Sequence, residues 1–256
     1  MYNYKMVRVQ IVSDLHIEYK NDDVPVTDLI IEPNADILIL AGDIGSLYKK
    51  EQLYIFLENI CKKFKLVLYI PGNHEYYMVD GIEKMCFSDL NNILYEIEGK
   101  IKNLHILNRN SIRIGDVCIA GCTLWSQPLC MIPKFLVRIN GINTMKYKNM
   151  HSRDVKYISN ITKYCKDKGY KLTIITHHPP TYKCLENTKK RKKYTSLYAS
   201  NLDYFLDGSK VQNWICGHVH KNFDFINEKG CRIVSNQKGK PRDRIRDYSK
   251  NFTITL

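Results

Sequence analysis

The sequence predicts a single α/β domain built from stacked β-sheets that are covered by helices. Strand and helix patterns alternate through the first half of the chain, and strand patterns dominate the second half. No repeat and no linker rich in Pro, Gly or Ser interrupts the 256 residues, and a chain of this length can bury one large core. We therefore assign residues 1–256 to one domain.

Three strand patterns alternate with two helix patterns in the first half. Apolar and polar residues alternate around 7–11, as in a strand with one buried face. The run at 37–41 is entirely apolar, which is typical of a strand buried on both faces, and a further strand is predicted at 66–70. Apolar residues recur at helical spacing over 51–64 and 81–97, which predicts two helices.

The second half begins with a predicted hairpin over 112–120, which turns at Gly115-Asp116. Helical spacing of apolar residues predicts one helix at about 153–165 and another near 199–206. Short apolar runs complete the pattern, and they predict strands at 172–176, 211–216, 223–227, 230–234 and 252–256.

The charge balance permits anionic partners but does not require them. Lys and Arg number 39 against 26 Asp and Glu, so the formal net charge is +13. Low Ala with abundant Lys, Ile, Asn and Tyr indicates an AT-rich genome such as that of a virus, a bias that raises Lys independently of function. The basic run Lys189–Lys193 could contact a polyanion or act as a nuclear signal, but we favour a solvated loop. Nucleic acid or a nucleotide is therefore one candidate partner.

The sequence predicts a soluble, cytoplasmic protein that does not enter a membrane. No apolar run approaches the roughly 18–20 residues of a membrane span. The N-terminus does not read as a secretory signal, because Arg8 and Gln10 interrupt its apolar stretch. The 9 cysteines are scattered without a CxxC pair, which fits reduced thiols better than a zinc site. The oligomeric state is left open.

Polar motifs follow several of the predicted strands, and 6 of the 8 histidines fall in them. In an extended segment, residues i and i+2 point the same way, so Asp14 and His16 can face one ion. Carboxylate, amide and imidazole groups from converging strand ends suit divalent ions such as manganese, iron or zinc. Each motif alone is weak evidence, but together and in this order they predict a metal site. The motifs are Ser13-Asp14-Leu15-His16, Ala41-Gly42-Asp43, Pro71-Gly72-Asn73-His74-Glu75, Thr176-His177-His178-Pro179-Pro180 and Cys216-Gly217-His218-Val219-His220.

This series resembles the calcineurin-like metallophosphoesterase superfamily, in particular its small phage, bacterial and large-virus members. The resemblance implies the metallophosphoesterase fold, a four-layer β-sandwich flanked by helices. It also implies a metal-dependent hydrolase of phosphodiesters or phosphomonoesters, with a phosphate ester as substrate. The residues that carry it are Asp14-x-His16, Gly42-Asp43, Gly72-Asn73-His74-Glu75, His177-x-Pro179 and Gly217-His218-x-His220.

The resemblance also implies two divalent ions that share the Asp43 carboxylate. Manganese is the first expectation, and iron, zinc and nickel are alternatives. A hydroxide between the ions would attack phosphorus, and His74 would stabilise the transition state and is a candidate to protonate the leaving oxygen. One ion would be held by Asp14, His16, Asp43 and His220, and the other by Asp43, Asn73, His177 and His218.

Four further residues are candidates near this centre. His177 and His178 are adjacent, and the His-x-Pro motif favours His177 as the ligand, which leaves His178 to support it or to touch substrate. Glu75 is expected to accept a hydrogen bond from a ligating imidazole. His151 and Arg153 are expected to open the helix at about 153–165, where a helix start would favour a phosphate.

Two alternatives to an enzyme stay open at this point. One is a catalytically weak binding or scaffold protein on the same fold, although every expected ligand position is filled. The other is a nucleic-acid-binding protein that uses its basic surface, although no helix-turn-helix, zinc finger or RNP-like motif supports it. The sequence leaves open the physiological substrate, the preference for monoester or diester, and the metal.

Overall fold

The computed structural model describes residues 6–19, 30–186 and 192–256. Of the basic run Lys189–Lys193, the first three residues lie outside these ranges, and the side chains of the last two are not described either. The helices are α1 (Lys50–Cys61), α2 (Phe87–Lys100) and α3 (Thr144–Lys168). The strands are β1 (Arg8–Val12), β2 (Ile37–Leu40), β3 (Leu66–Tyr69), β4 (Leu104–Ile106), β5 (Asn110–Ile114), β6 (Val117–Cys122), β7 (Lys171–Thr176), β8 (Asn213–Ile215), β9 (Phe223–Ile226), β10 (Arg232–Ser235) and β11 (Thr253–Thr255).

The strands form two sheets. The first has the order β11-β1-β2-β3-β4, in which β1 to β4 are parallel and β11 pairs antiparallel with β1. The second has the order β5-β6-β7-β8-β10-β9, in which the four central strands are parallel and both edge strands are antiparallel. The hairpin of β5 and β6 turns at Gly115 with φ +63, as the sequence predicts.

Side chains that alternate along these strands pack into three separate apolar clusters. Ile39 of β2 and Ile175 of β7 belong to a core between the two sheets, whereas Leu38 of β2 packs with α1 and α2 on the outer side of the first sheet. Leu172 of β7 packs with Ile158 of α3 on the outer side of the second sheet. The layers are therefore helix, sheet, sheet and helix, which is the four-layer sandwich expected from the sequence.

Parallel strands present their carboxyl ends at one edge of each sheet, and ligands bind at such edges in α/β folds. Asp14, Asp43 and Asn73 lie in the loops that follow β1, β2 and β3, and His177 directly follows β7. The topology therefore gathers motifs that are far apart in the sequence.

Several predicted elements differ from the structure. The helix expected near 199–206 is wrong, because only a short 3-10 turn at Asp203–Phe205 forms there. The backbone N–H groups of Ser200 and Leu202 instead donate to the carbonyls of Pro179 and Pro180, at 3.1 and 2.8 Å. These long-range bonds hold the segment against the loop after β7, and the apolar spacing of Ala199, Leu202 and Leu206 reflects burial alone.

Two helix starts also differ, and one strand was not predicted. Helix α3 begins at Thr144 rather than near 153, because the Asn143 side chain accepts from the backbone N–H of Lys146 and caps it. Helix α2 begins at Phe87 rather than at 81. Strand β4 has three residues, too few for a periodic pattern to stand out. Among the described residues, no helix has both the length and the apolar character needed to cross a membrane.

Candidate metal centre

All seven residues predicted as metal ligands meet at the carboxyl ends of the strands. The potential ligand atoms within each of two groups lie within 4.8 Å of one another, and Asp43 belongs to both. The Asn73 amide oxygen joins the second group, 3.0 Å from Nε2 of His177. The first group is Asp14, His16, Asp43 and His220, and the second is Asp43, His177 and His218. These two match the division that the sequence predicts, and ligation itself stays a prediction. A third group of potential ligands, His16, Glu18 and His74, was not predicted.

Three of the histidines are oriented in the same way. Each places Nδ1 against a carboxylate or carbonyl oxygen that acts as an acceptor, so Nδ1 carries a proton and Nε2 has the lone pair whenever the ring is neutral. The three contacts are His16 Nδ1 to Glu18 Oε1 at 3.0 Å, His177 Nδ1 to the Ala41 carbonyl at 2.9 Å, and His220 Nδ1 to Asp243 Oδ2 at 2.5 Å.

The Nε2 atoms face the carboxylates of the cluster and one another. Nε2 of His16 lies 3.0 Å from Nε2 of His220, and Nε2 of His177 lies 3.3 Å from Oδ1 of Asp43. Two lone pairs that converge in this way repel each other unless a cation or a proton lies between them. The residues present therefore fit divalent ions, and their nitrogen and oxygen atoms are ligands that manganese, iron and zinc accept.

Buried charge is concentrated here. Burial acts to raise the pKa of Asp43, but the imidazoles of His177 and His74 hold that pKa well below its usual range. Burial likewise acts to lower the pKa of His177, yet the carboxylates of Asp43 and Asp14 raise it to about 9. Burial lowers the pKa of His16 to about 4. The centre thus holds ionised carboxylates with little access to water, an environment that favours a bound cation.

The loops carry the ligands on strained backbone. Five of the seven predicted ligands have φ in the left-handed region, which non-glycine residues seldom occupy and which costs about 1–3 kcal/mol per residue. Such strain persists only where the surrounding structure imposes it, and it clusters at functional sites. The five are Asp14 (φ 53), His16 (φ 49), Asp43 (φ 53), His218 (φ 73) and His220 (φ 52).

Glycines let the backbone approach these side chains closely. A Cβ added to Gly72 would overlap the side chain and the backbone nitrogen of Asp43. A Cβ on Gly42 would overlap the His177 ring, and one on Gly217 would overlap Asp14. The glycines of three motifs are therefore required by the packing of the ligands themselves.

Glu75 has a different partner from the one expected. Its buried carboxylate accepts no hydrogen bond from an imidazole within the described ranges. It accepts instead from the backbone N–H groups of Gly72, Asp43 and Ile44 at 2.9, 3.1 and 2.8 Å, and from the Tyr69 hydroxyl at 2.6 Å. Burial and the charge of Asp43 raise the pKa of Glu75 to about 8, while these donors favour its ionised form. Glu75 therefore ties the loop after β2 to the loop after β3.

The structure separates His178 from the ligand groups. His178 is buried, its Nδ1 lies 3.4 Å from the Thr123 carbonyl, and its ring lies against that of His218 with centroids 4.0 Å apart. Burial and the neighbouring charge of His177 lower its pKa to about 3. His178 belongs to none of the groups of potential ligands, which favours His177 in that role.

The helix start expected at His151 and Arg153 is wrong. Helix α3 begins at Thr144, so both residues lie about two turns inside it, where backbone N–H groups are already paired. His151 is buried, with Nδ1 2.6 Å from the Trp125 carbonyl, and Arg153 is exposed. The physical reason for expecting a phosphate at these two residues is therefore absent.

Three residues that the sequence analysis did not single out complete the centre. Oε1 of Glu18 lies 3.0 Å from Nδ1 of His16 and 3.3 Å from Nδ1 of His74, so one carboxylate orients two imidazoles. Nζ of Lys240 lies 3.0 Å from Nε2 of His74, and Asp243 contacts His220. Glu18 could have been found from its spacing of two residues after His16. No local signal marks Lys240 or Asp243, which lie far along the chain.

A cleft of about 620 Å³ opens over the centre. Asp43, Asn73, His218 and His220 line its floor, together with His74. A substrate in this cleft would therefore reach both groups of potential ligands and His74 at once.

Comparisons with known proteins agree with the fold and the motifs. The model of the calcineurin-like phosphoesterase family matches residues 7–222. A curated relative, Uncharacterized protein L509 of Acanthamoeba polyphaga mimivirus, is 28% identical over 267 aligned positions, which cover 91% of each chain.

Solved structures show the same fold at low identity. Phosphopantetheinyl hydrolase from Mycobacterium tuberculosis has a TM-score of 0.74 at 14% identity, over 98% of this chain and 96% of that one. A dimetal phosphatase from Danio rerio has a TM-score of 0.50 at 12% identity, over 90% of this chain and 86% of that one.

We expect Gly72→Ala to weaken metal binding, because its Cβ would displace Asp43. Affinity for Mn²⁺, measured by calorimetric titration, should fall by about 10–100-fold, the range typical when contacts that orient a ligand are lost. Gly99→Ala is the matched control, since nothing lies within 4 Å of a Cβ there in α2. It should keep the affinity and stabilise the fold by about 0.5–1 kcal/mol. Unchanged affinity in Gly72→Ala would contradict this account of the loop.

Proposed function

Because the chain belongs to the calcineurin-like phosphoesterase family, we propose that it is a hydrolase of phosphoric esters that works with two divalent metal ions. The observation that carries the proposal is the shared orientation of His16, His177 and His220. Their Nδ1 atoms contact acceptors, and their Nε2 atoms face the buried carboxylates of Asp14 and Asp43. When the rings are neutral, such an arrangement directs lone pairs and negative charge at common points.

The residues divide between two proposed ion positions. Bound there, the ions would supply an activated water as nucleophile and neutralise phosphoryl oxygens. Manganese is the first ion to test, because carboxylate, amide and imidazole groups all suit it. Asp14, His16, Asp43 and His220 would hold one ion, and Asp43, Asn73, His177 and His218 would hold the other.

His74 is proposed to contact the substrate rather than an ion. A 3-10 turn begins at His74, so its ring points away from the Asn73 amide, which faces His177. The backbone N–H of His74 donates to Oδ1 of Asp43 at 2.8 Å, and its Nδ1 faces Glu18. Nε2 is therefore the ring nitrogen that faces the cleft.

Burial lowers the pKa of His74, so in the neutral ring Nε2 accepts from the Lys240 ammonium at 3.0 Å. Nε2 must gain a proton and release that contact before it can donate to a leaving oxygen.

The alternative of a scaffold that has lost catalysis has less support. All seven predicted ligands are present and converge, and a fold that buried two adjacent carboxylates on strained loops without a bound ion would be less stable for it. The support for a nucleic-acid partner is the formal net charge of +13.

Two structural neighbours are named as a hydrolase of a phosphopantetheinyl group and as a dimetal phosphatase, so monoesters and diesters both belong in the first assay.

We expect the purified protein to hydrolyse an aryl phosphate ester when Mn²⁺ is supplied. Treatment with a chelator should abolish the activity, and added Mn²⁺ should restore it, because the proposed nucleophile depends on the ions. The panel comprises a nitrophenyl monoester, a nitrophenyl diester, cyclic nucleotides and single-stranded DNA. Full activity in protein shown by elemental analysis to be free of metal would refute the proposal.

The shared role of Asp43 can be measured separately. Asp43→Asn should lower the occupancy of both ions, because its carboxylate belongs to both groups, and it should reduce activity more than Asn73→Ala does. Elemental analysis and kinetics on the same samples provide both readouts. Asp36→Asn, the same change at an exposed position, should affect neither. Two ions retained at wild-type affinity in Asp43→Asn would show that it does not bridge them.

The dependence of kcat on the leaving group tests the proposed role of His74 as a proton donor. His74→Ala should keep two ions and reduce kcat by roughly 10²–10⁴, the scale of a lost proton transfer. The loss should shrink for nitrophenolate, which departs without a proton, and stay large for alkyl leaving groups. His105→Ala, at an exposed histidine on β4, is the control. An equal loss for both leaving groups would exclude the general-acid role, and loss of an ion would make His74 a ligand.

A further inference from the structure

We propose that Lys240 is a substrate-contacting residue of this site, whose ammonium group binds an anionic phosphoryl oxygen and favours the dianionic phosphate of a monoester. The proposal rests on the phosphoesterase function proposed above and extends it to the class of ester. The sequence motifs do not indicate this role, since Lys240 lies 20 residues beyond His220, the last predicted ligand of the series.

The position of the ammonium group is the first observation. Nζ of Lys240 lies 3.0 Å from Nε2 of His74 and 5.6 Å from the centre of the Tyr19 ring, and all three residues line the cleft. An ammonium group has three N–H donors, and the contact with His74 uses one of them. The others remain for an anion that lies beside His74.

The lack of a carboxylate partner is the second observation. Lys240 is half-buried, and within the described ranges no carboxylate forms an ion pair with its Nζ. Burial lowers the pKa of Lys240, and Arg242 adds to that effect, while the carboxylates of Asp43, Glu18 and Asp243 act in the opposite direction. Withdrawing an ammonium group from water without a counter-ion is unfavourable. An anionic substrate would supply a counter-ion in direct contact with Nζ.

The loop that presents Lys240 is the third observation. Its backbone N–H donates to Oδ2 of Asp243 at 2.9 Å, and the same oxygen contacts Nδ1 of His220. Two residues earlier, the backbone N–H of Lys238 donates to the Ser13 carbonyl at 3.1 Å, beside Asp14. The loop is thus fixed at both ends to segments that carry predicted ligands, so Lys240 is positioned relative to the metal centre.

Charge distinguishes the two classes of ester. A monoester phosphate carries up to two negative charges near neutral pH and a diester carries one, and Coulomb attraction to an ammonium group grows with that charge. A hydrogen bond between charged groups typically contributes about 10- to 100-fold in binding. Lys240 should therefore matter more for a monoester than for a diester with the same leaving group.

The experiment compares Lys240→Ala, Lys240→Arg and Lys238→Ala in the Mn²⁺-loaded full chain. Lys238 is the matched control, because it lies in the same loop, is also half-buried and does not line the cleft. The substrates are nitrophenyl phosphate and methyl nitrophenyl phosphate, and inorganic phosphate serves as inhibitor. Lys240→Ala should lose about 10- to 100-fold in kcat/KM on the monoester, clearly less on the diester, and should bind inorganic phosphate correspondingly more weakly. Lys240→Arg should keep most of the activity, and Lys238→Ala should match the wild type.

Each other outcome is decisive. If the wild type hydrolyses neither ester, the proposed function fails before Lys240 is tested. If the wild type is active and Lys240→Ala behaves like Lys238→Ala in hydrolysis and in phosphate inhibition, the assignment of Lys240 is wrong. Equal losses on both esters would overturn the preference for a dianion. Loss of an ion from Lys240→Ala and Lys240→Arg alike would show that Lys240 acts through His220.

Discussion

The structure around the centre depends on one constraint, which is the burial of the Asp43 and Asp14 carboxylates at the ends of adjacent parallel strands. Each is almost inaccessible to solvent, so each needs compensating charge or donors from the protein. Histidines from other loops supply part of it, and the backbone N–H groups of His74 and His218 supply more. The strained loops and the closely packed glycines follow from the same need, because those groups must come within bonding distance of two fixed points.

Residues 73–75 show how densely one short segment serves this constraint. The Asn73 amide faces His177, Nδ1 of His74 faces the Glu18 carboxylate, and the Glu75 carboxylate points into the interior. The tight turn makes this possible, since it rotates successive side chains by about 120°. The four hydrogen bonds of Glu75 hold the loops after β2 and β3 together. Exchange of Glu75 would therefore disturb Asp43 without removing any potential ligand.

Structural features that a local residue pattern encodes were predicted from the sequence, whereas features that depend on contacts between distant residues were missed. Strand ends followed by polar motifs revealed the seven converging residues, because parallel strands necessarily present those ends together. Lys240 could not be found in this way, since its contact with His74 spans 166 residues. The helix near 199–206 failed for a related reason, because this segment is held by the carbonyls of Pro179 and Pro180, a contact with a distant part of the chain that apolar spacing does not encode. The start of α3 was missed because its cap is a single side chain, that of Asn143.

The segment that follows the last histidine motif has a consequence for how the molecule assembles. Gln237 bridges to Ser13, Asp243 contacts His220, and β11 pairs with β1 at the edge of the first sheet. A chain emerging from the ribosome therefore contains every predicted ligand some time before it contains the residues that align His220 and cover β1. The centre can be completed only after β11 and the residues around Gln237 and Asp243 have folded back onto β1 and His220. Binding of metal would therefore indicate that the domain has finished folding, and not only that the motifs have been synthesised.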